Sequence, residues 1–438
     1  MRRFRSIFEK KRPDGQQPLQ QHQQPPASDG SQSPAAPPPT GDDNFAVQAV
    51  SGTLSIALVN QFAAGTTVYA TVSGRAIDNN NALFLLGADG RTPYYPPSPG
   101  STMSPVSQNT AIRLGGTGST TNLTVPHIAG GRIYFSLGQP LKFFINPGPA
   151  LVEPSVSNPS DPNVNLDWGF CEFTFNSDQL YANISYVDFV SDIPVALTLT
   201  TINSGTRTVR GLKPNGLNNI ASALRAQHAA DGKPWDQLIV THQNRNLRVL
   251  SPNLGRVGNN SLFNGYFEPY VDQVWSRFAT QPMHIDTQAQ WGVVSATTTH
   301  NGTALSFTTQ RSPSDGGQQK PITSPSVFTK PSTADIFSCS TGPFATGANA
   351  LTNAIIPRLS AAFNRSTLLK TDAFPASQSL FYQEAVTNHY SRVVHENNYD
   401  GKGYAFPYDD VQPSGGADQS GEVHAGDPKV WTVTVGGG

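Results

Sequence analysis

The chain has 438 residues, of which 37% are hydrophobic and 13% are charged. This length allows one large domain or two to three ordinary ones. The 29 basic and 30 acidic residues nearly cancel, so charge gives no reason to expect nucleic acid or an anionic membrane as a partner. No apolar run approaches the roughly 20 residues that span a bilayer. The surface polarity must come from uncharged side chains, which suit hydroxyl-rich ligands but are also common in β proteins that bind no sugar.

Residues 1–43 form a low-complexity segment rich in Gln and Pro. Such a segment has too few apolar side chains to offset the entropy of ordering, which predicts a disordered tail. Its basic opening, residues 1–12, has no apolar stretch after it and does not fit the pattern of a signal peptide. The two cysteines, Cys171 and Cys339, either form one disulfide or stay as two buried thiols. The compartment is left open by these features.

From Phe45 onwards, short β-type runs alternate with turn residues. The predicted strands are 54–59, 68–72, 82–86, 132–137, 172–176 and 195–200. Short, regularly spaced strands with frequent Gly and Pro indicate a mainly β fold, a sandwich or a barrel.

After about residue 215 the pattern becomes mixed. Helical spacing predicts helices over 218–230, 269–278, 349–363 and 377–394, with a kink or break at Pro357. Strand-like runs lie between them at 290–294 and 304–307, and a last strand covers 430–435. We therefore expect a β domain of residues 44–205 plus 404–438, interrupted by a mixed α/β domain of residues 206–403.

The common cofactor and metal motifs are absent from the sequence, so we expect no cofactor and no metal. The two cysteines are too far apart for a CxxC site. His389 and His395 fall on one predicted helix, but six-residue spacing does not place them on one face. We expect these two histidines to be structural or solvated.

The segment from Trp168 to Leu197 carries the most chemistry. Polar residues at 172, 174 and 176 alternate with Phe173 and Phe175, so one strand face presents a carboxylate, a hydroxyl and an amide in a row. This row is typical of a sugar-binding surface, but also of an ordinary solvated strand face. Alternation alone leaves both interpretations open.

Three runs in this segment, 172–176, 183–189 and 193–195, resemble the acidic-cleft region of thaumatin-like proteins. They resemble more closely glycoside hydrolase family 64, the β-1,3-glucanases that release laminaripentaose-sized products. The stretches 80–97, 403–410 and 431–435 are also similar to that family, so the likeness covers roughly residues 45–438.

The resemblance implies a thaumatin-like β-barrel or sandwich domain, with the inserted mixed α/β domain forming a wide groove. It implies a monomeric hydrolase that acts on β-1,3-glucan of the laminarin or curdlan type without a cofactor. Glu172 would be the general acid and Asp188 the general base of an inverting mechanism, about 6.5–9.5 Å apart. Such a substrate implies an extracellular or cell-wall location. The rival interpretation is a non-catalytic glucan-binding protein on the same scaffold.

Spacing alone does not bring this pair together. In a flat hairpin centred on Asp178, Ile184 would lie opposite Glu172, and Asp188 would lie roughly 13 Å further along. The mechanism therefore requires a bend in the chain before Asp188 or curvature of the sheet.

Further site residues are expected around the pair. The substrate-binding candidates, from alternation and from the resemblance, are Thr174, Asn176, Tyr181 and Ser185. Trp168 and Tyr404 either stack on sugar rings or belong to the core. Asp409 and Asp410 either line the cleft or form a turn. One departure is that thaumatin-like proteins carry many disulfides, whereas this chain can form at most one.

Overall fold

The computed structural model describes residues 52–299, 301–309, 326–417 and 419–437. The tail predicted over residues 1–43 lies outside these residues. The described residues belong to one compact unit in which strands predominate over helices. Within the described ranges, no helix has both the length and the apolar character needed to cross a membrane.

Twenty-four strands are present in the described residues. The first twelve are β1 (Thr53–Asn60), β2 (Val68–Ala76), β3 (Ala82–Leu86), β4 (Pro93–Tyr94), β5 (Ser104–Pro105), β6 (Ile112–Arg113), β7 (Thr120–Pro126), β8 (Ile128–Leu137), β9 (Phe144–Asn146), β10 (Ala150–Val152), β11 (Trp168–Phe175) and β12 (Leu180–Ile184). The others are β13 (Phe189–Ser191), β14 (Val195–Thr201), β15 (Thr206–Val209), β16 (Ile239–His242), β17 (Arg245–Leu250), β18 (Met283–Asp286), β19 (Val293–Thr298), β20 (Ala304–Thr309), β21 (Ser326–Thr329), β22 (Ala373–Phe374), β23 (Glu422–Ala425) and β24 (Pro428–Val435).

Two large sheets pack face to face around the main core. One has the order β15-β14-β24-β1-β7, and the other has the order β23-β12-β11-β8-β2-β3-β4 with β6 also paired to β2. The rings of Phe173 in β11 and Trp431 in β24 lie 5.2 Å apart across the interface. Because side chains alternate between faces, this burial directs Glu172 and Thr174 away from the core.

The C-terminal strand joins the N-terminal half of the chain. β24 pairs in parallel with β1 and antiparallel with β14, so residues from both ends of the described chain share one sheet. The remaining strands form three smaller sheets, β10-β9-β5, β13-β17-β16 and β21-β20-β19-β18-β22.

Six α-helices lie in the described residues after residue 215. They are α1 (Gly216–Asp231), α2 (Pro252–Gly258), α3 (Glu268–Arg277), α4 (Thr333–Ser338), α5 (Ala350–Asn364) and α6 (His389–Asn397). Their apolar faces join the main core, as the burial of Leu224, Trp275 and Phe363 illustrates.

Two helix predictions need correction. The expected helix 377–394 is wrong over its first half, because α6 begins only at His389. The Asn388 side chain caps that start by accepting from the Ser391 amide, while Tyr382 has a left-handed backbone conformation that interrupts a helix. The expected break at Pro357 does not occur, since α5 continues through it to Asn364.

Candidate active site

Glu172 lies in the middle of the outward face of β11. It is directly opposite Arg132 of β8 and Asn183 of β12, and Asn183 in turn lies opposite Glu422 of β23. Residues directly opposite one another in a sheet share a face, so four polar side chains form one row across four strands. The hairpin expected to place Ile184 opposite Glu172 is therefore wrong by one residue. Phe175 pairs with Leu180, so the turn between the two strands is one residue shorter than expected.

The chain leaves this sheet before it reaches Asp188. Ladder pairing of β12 with β11 ends at Ile184, and Ser185 instead bridges to Tyr404. The backbone bends at Val187 and Asp188 and then enters β13, which pairs with β17 of another sheet. The Ser251 amide donates to the Asp188 carbonyl oxygen at 2.8 Å and fixes this bend. The bend that the mechanism requires is thus present.

Asp188 is half-buried and interacts with the charges around it. Loss of solvation raises the pKa of Asp188 to about 6, Arg132 opposes this rise, and the negative charges of Glu172 and Glu153 add to it. The two carboxyl groups named from the sequence therefore lie close enough to influence each other. A carboxyl group with this pKa changes protonation near neutral pH, as an acid–base catalyst must.

Arg132 and Glu153 belong to the same cluster and were not identified from the sequence. Arg132 Nε donates to Glu172 Oε1 at 3.1 Å, and its Nη1 donates to Glu153 Oε2 at 2.7 Å. Glu153 follows β10 of a small separate sheet, and only the tertiary fold brings it to β8. The one available signal was that Arg132 is a charged residue within an otherwise apolar strand.

The substrate-binding candidates of the hairpin lie on the same outward face. Thr174 pairs directly with Tyr181, which lies opposite His424 of β23. A hydrogen bond from the Tyr181 side chain helps to lower the pKa of Glu422, against the effect of burial. The Asn176 side-chain oxygen accepts from the backbone amides of residues 178 and 179, so this residue also stabilises the turn.

Two other candidates lie inside the protein. Ser185 is only 5% exposed and lines a cavity of about 10 Å³, close to the volume that one water molecule needs. Trp168 is 3% exposed and packs edge-on against Phe189 with ring centroids 4.8 Å apart. Trp168 is therefore a core residue and does not lie on the surface where it could stack on a sugar ring.

The segment around Tyr404 borders the site. The Tyr404 hydroxyl donates to Asp410 Oδ1 at 2.9 Å, and both side chains lie beside the end of β12. Tyr404 is half-buried and Asp410 is exposed. Both side chains are therefore accessible to solvent.

Asp409 has a different role from Asp410. It is 1% exposed and pairs with Arg365 at 2.9 Å and with His395 at 2.9 Å. Although burial opposes ionisation, His395 and Arg365 lower the pKa of Asp409 below its usual value. Asp409 therefore anchors the Tyr404 segment to α5 and α6, and does not line the cleft.

The two cysteines and the two histidines of α6 are buried in the fold. Cys171 and Cys339 are free and buried, and burial raises the pKa of both thiols. His389 and His395 are both buried, so the structural interpretation holds for them. Among the described residues, no three His, Cys, Asp or Glu side chains are grouped to hold a metal ion.

The sequence matches known proteins over most of its length. A family model for beta-1,3-glucanases of glycoside hydrolase family 64 matches residues 52–435. The glucan endo-1,3-beta-glucosidase of Cellulosimicrobium cellulans is 30% identical over 306 residues, which are 68% of this chain and 51% of that protein. The enzyme of the same name from Arthrobacter sp. (strain YCWD3) is 29% identical over 308 residues, again 68% of this chain and 51% of that protein. The chain thus spans about half the length of these curated relatives.

Solved structures agree with the sequence matches. A laminaripentaose-producing beta-1,3-glucanase, crystallised in complex with laminaritetraose, is 29% identical with a TM-score of 0.75, covering 88% of this chain and 99% of that one. A beta-1,3-glucanase domain from Clostridium beijerinckii is 22% identical with a TM-score of 0.66, covering 89% and 99%, and shows the shared fold. Because the family model matches well over half of the residues, this chain belongs to glycoside hydrolase family 64, the beta-1,3-glucanases.

Proposed function

We propose that this chain hydrolyses β-1,3-glucan by an inverting mechanism in which Glu172 is the general acid and Asp188 the general base. One observation carries the proposal: two carboxyl groups interact across the bend between β12 and β13, and Asp188 has a pKa of about 6. The names of the relatives support the substrate, since two are glucan endo-1,3-beta-glucosidases and one structure holds laminaritetraose.

The reaction needs one proton donated and one accepted. Glu172 gives its proton to the glycosidic oxygen as the C1–O bond breaks. Asp188 takes a proton from a water molecule whose oxygen bonds to C1 from the opposite face, which inverts the configuration there. Glu172 is then a carboxylate and Asp188 is protonated, and both return to their starting states by exchange with solvent.

The environment of Asp188 suits the role of a general base. Asp188 titrates near pH 6, so it is ionised at neutral pH but basic enough to accept a proton in the transition state. Arg132 contacts Glu172 and favours the negative charge that develops there as the proton leaves.

Thr174, Asn176, Tyr181 and Ser185 are our proposed substrate-binding residues. Thr174 and Tyr181 have the strongest support, because they form a cross-strand pair on the face that carries Glu172. Asn176 lies at the turn of the same hairpin. Ser185 is buried and its backbone bridges to Tyr404. In this role Ser185 would hold Tyr404 in position and would not contact the sugar itself.

We further propose that the protein acts as a monomer and that the groove lies between two domains. These are the thaumatin-like β domain, residues 44–205 plus 404–438, and the mixed α/β domain, residues 206–403. β24 lies between β1 and β14 in one sheet, which supports assigning residues 404–438 to the same β domain as residues 44–205.

The test is reducing-end release from linear β-1,3-glucan, with binding to insoluble glucan measured in parallel. The expected result is release by the wild type and a loss of about a hundredfold or more in Glu172→Gln and Asp188→Asn, with binding retained. Binding without release by the wild type would support the non-catalytic glucan-binding protein instead.

A further inference from the structure

Arg132 holds two carboxylates at once. Its Nε and Nη2 atoms both lie 3.1 Å from Glu172 Oε1, and its Nη1 lies 2.7 Å from Glu153 Oε2. Nη1 also lies 3.5 Å from the hydroxyl of Tyr134. The planar guanidinium has a fixed fork of donors, so contacts on its two sides determine its orientation.

The surroundings of Arg132 leave little room for another arrangement. Its side chain is 12% exposed, and its guanidinium carbon lies 4.9 Å from the centre of the Phe170 ring. A charge this far from water requires paired partners. Removing Glu153 would therefore take away one of the carboxylates that contact the Arg132 guanidinium and leave its contact with Glu172.

Glu153 reaches this position from outside the main sheet. It follows β10, which pairs with β9 in a three-stranded sheet, and its side chain is 38% exposed. Burial, and in lesser part Glu153, raise the pKa of Tyr134 well above its ordinary value. The phenol therefore stays protonated, and its hydroxyl is hydrogen-bonded to Glu153.

We propose that Glu153 is a positioning residue that holds the Arg132 guanidinium against Glu172 and within reach of Asp188. This inference rests on the proposed hydrolysis for its effect on rate, but the arrangement itself exists without substrate. In this role Glu153 acts on the reaction through Arg132, in addition to the direct effect of its charge on Asp188.

The charges around Asp188 give this arrangement a distinct signature. Among the described residues, the groups that interact with Asp188 are Arg132 of β8, Glu153 after β10, Glu172 of β11 and Tyr390 of α6. Arg132 lowers the pKa of Asp188 and Glu153 raises it. The pKa of Tyr390 lies well above 10, so this group stays neutral in the range of interest. Removing the charge of Glu153 alone would lower the pKa of Asp188, whereas moving Arg132 away from Asp188 would raise it. Because the effect of Arg132 is the larger of the two, a positioning role predicts a net rise in the pKa of Asp188 when Glu153 is removed.

The first experiment compares the pH dependence of kcat/KM in Glu153→Gln, Arg132→Met and Arg132→Lys. We expect the limb of the profile below pH 7 to move to higher pH in both Glu153→Gln and Arg132→Met, by about 0.5 pH unit or more in Arg132→Met. Arg132→Lys keeps the charge, so its limb should stay closer to that of the wild type. We also expect kcat of Glu153→Gln to fall by about ten- to a hundredfold, with KM little changed. A limb that stays in place or moves to lower pH in Glu153→Gln would mean that Arg132 keeps its position without Glu153, and would overturn the inference.

The second experiment needs no substrate. The Asp188 carboxyl is titrated by ¹³C NMR in the wild type, in Glu153→Gln and in the control Asp272→Asn. Asp272 also pairs with a cation, Lys330 at 2.6 Å, but on the exposed surface of α3. A higher Asp188 pKa in Glu153→Gln alone supports the inference, whereas an unchanged or lower value overturns it, because it would mean that Arg132 keeps its place without Glu153. If the wild type hydrolyses no glucan, the proposed function fails, and this titration still decides the role of Glu153.

Discussion

Glu172 and Asp188 interact electrostatically although they lie on either side of a break between two sheets. Glu172 is in the ladder of β11, and Asp188 is at the bend that leads into β13. Two elements held by different neighbours keep such a pair at a fixed separation, which a single flexible loop would not do. The bend itself is held by the Ser251 amide.

The pH dependence of activity follows from the pKa of Asp188. Since the base must be ionised, kcat/KM should fall as the pH drops below about 6, by about tenfold for each further pH unit. The measurement is initial rates at low substrate concentration between pH 4 and 8. A profile that is flat down to pH 4.5 would rule out Asp188 as the base.

Asp188 should also reduce the stability of the folded protein. Its folded pKa, about 6, is above the ordinary value of 3.8, so the folded state binds more protons between these pH values. Stability then falls as the pH rises through this window, and the full cost applies above pH 6. Asp188→Asn should therefore be more stable than the wild type by up to about 3 kcal/mol at pH 8, with no gain near pH 3.5.

Urea unfolding at pH 3.5 and 8 measures this difference. The control is Asp89→Asn, because hydrogen bonds from Thr92 and Arg91 lower the pKa of Asp89 to about 2. That variant should lose stability at pH 8, the opposite sign. A destabilised Asp188→Asn variant at pH 8 would contradict the account.

The buried cluster around Asp409 should stabilise the fold strongly. Arg365 and Asp409 are almost fully buried, so Arg365→Met leaves a buried carboxylate with one cationic partner fewer. We expect a loss of about 3–5 kcal/mol in the free energy of unfolding. The matched control is Lys330→Met at the exposed Asp272 pair, for which the loss should stay under about 1 kcal/mol. Equal losses in the two variants would disprove the anchoring role of Asp409.

The two thiols should be inaccessible in the native state. Cys171 and Cys339 are buried and free, and burial raises the pKa of both, so thiolate is scarce. A thiol reagent should label neither cysteine in the native protein and both in denaturant without reductant. If denaturant exposes no reactive thiol, the cysteines are disulfide-bonded and the prediction is wrong.

Local sequence patterns located several of the longer strands, whereas the roles of Glu172 and Asp188 came from the family resemblance and stay a prediction. Alternation in the segment 172–176 correctly placed Glu172 and Thr174 on one outward face. The hairpin register was missed by one residue, because the turn at Asn176 is set by side-chain to backbone hydrogen bonds. The start of α6 was missed although Asn388 is a standard capping residue, because apolar spacing continued upstream of it.

Contacts between residues far apart in the chain could not be predicted from local sequence patterns. Arg132 lies in β8 and Glu153 follows β10 of another sheet, and nothing in the local pattern of either residue indicates the other. Likewise, Asp409 and Asp410 are neighbours in sequence, yet one is buried against Arg365 and the other is exposed beside Tyr404. The difference in burial between these two residues depends on the helices α5 and α6, whose side chains pair with Asp409.

The most direct test of the central claim is the anomeric configuration of the first product, followed by ¹H NMR during hydrolysis of a linear β-1,3-glucan oligosaccharide. An inverting pair formed by Glu172 and Asp188 predicts that the α-anomer appears first and the β-anomer grows only by mutarotation. Initial release of the β-anomer would mean a retaining mechanism and would contradict the roles assigned here, and no release at all would contradict the proposed hydrolysis.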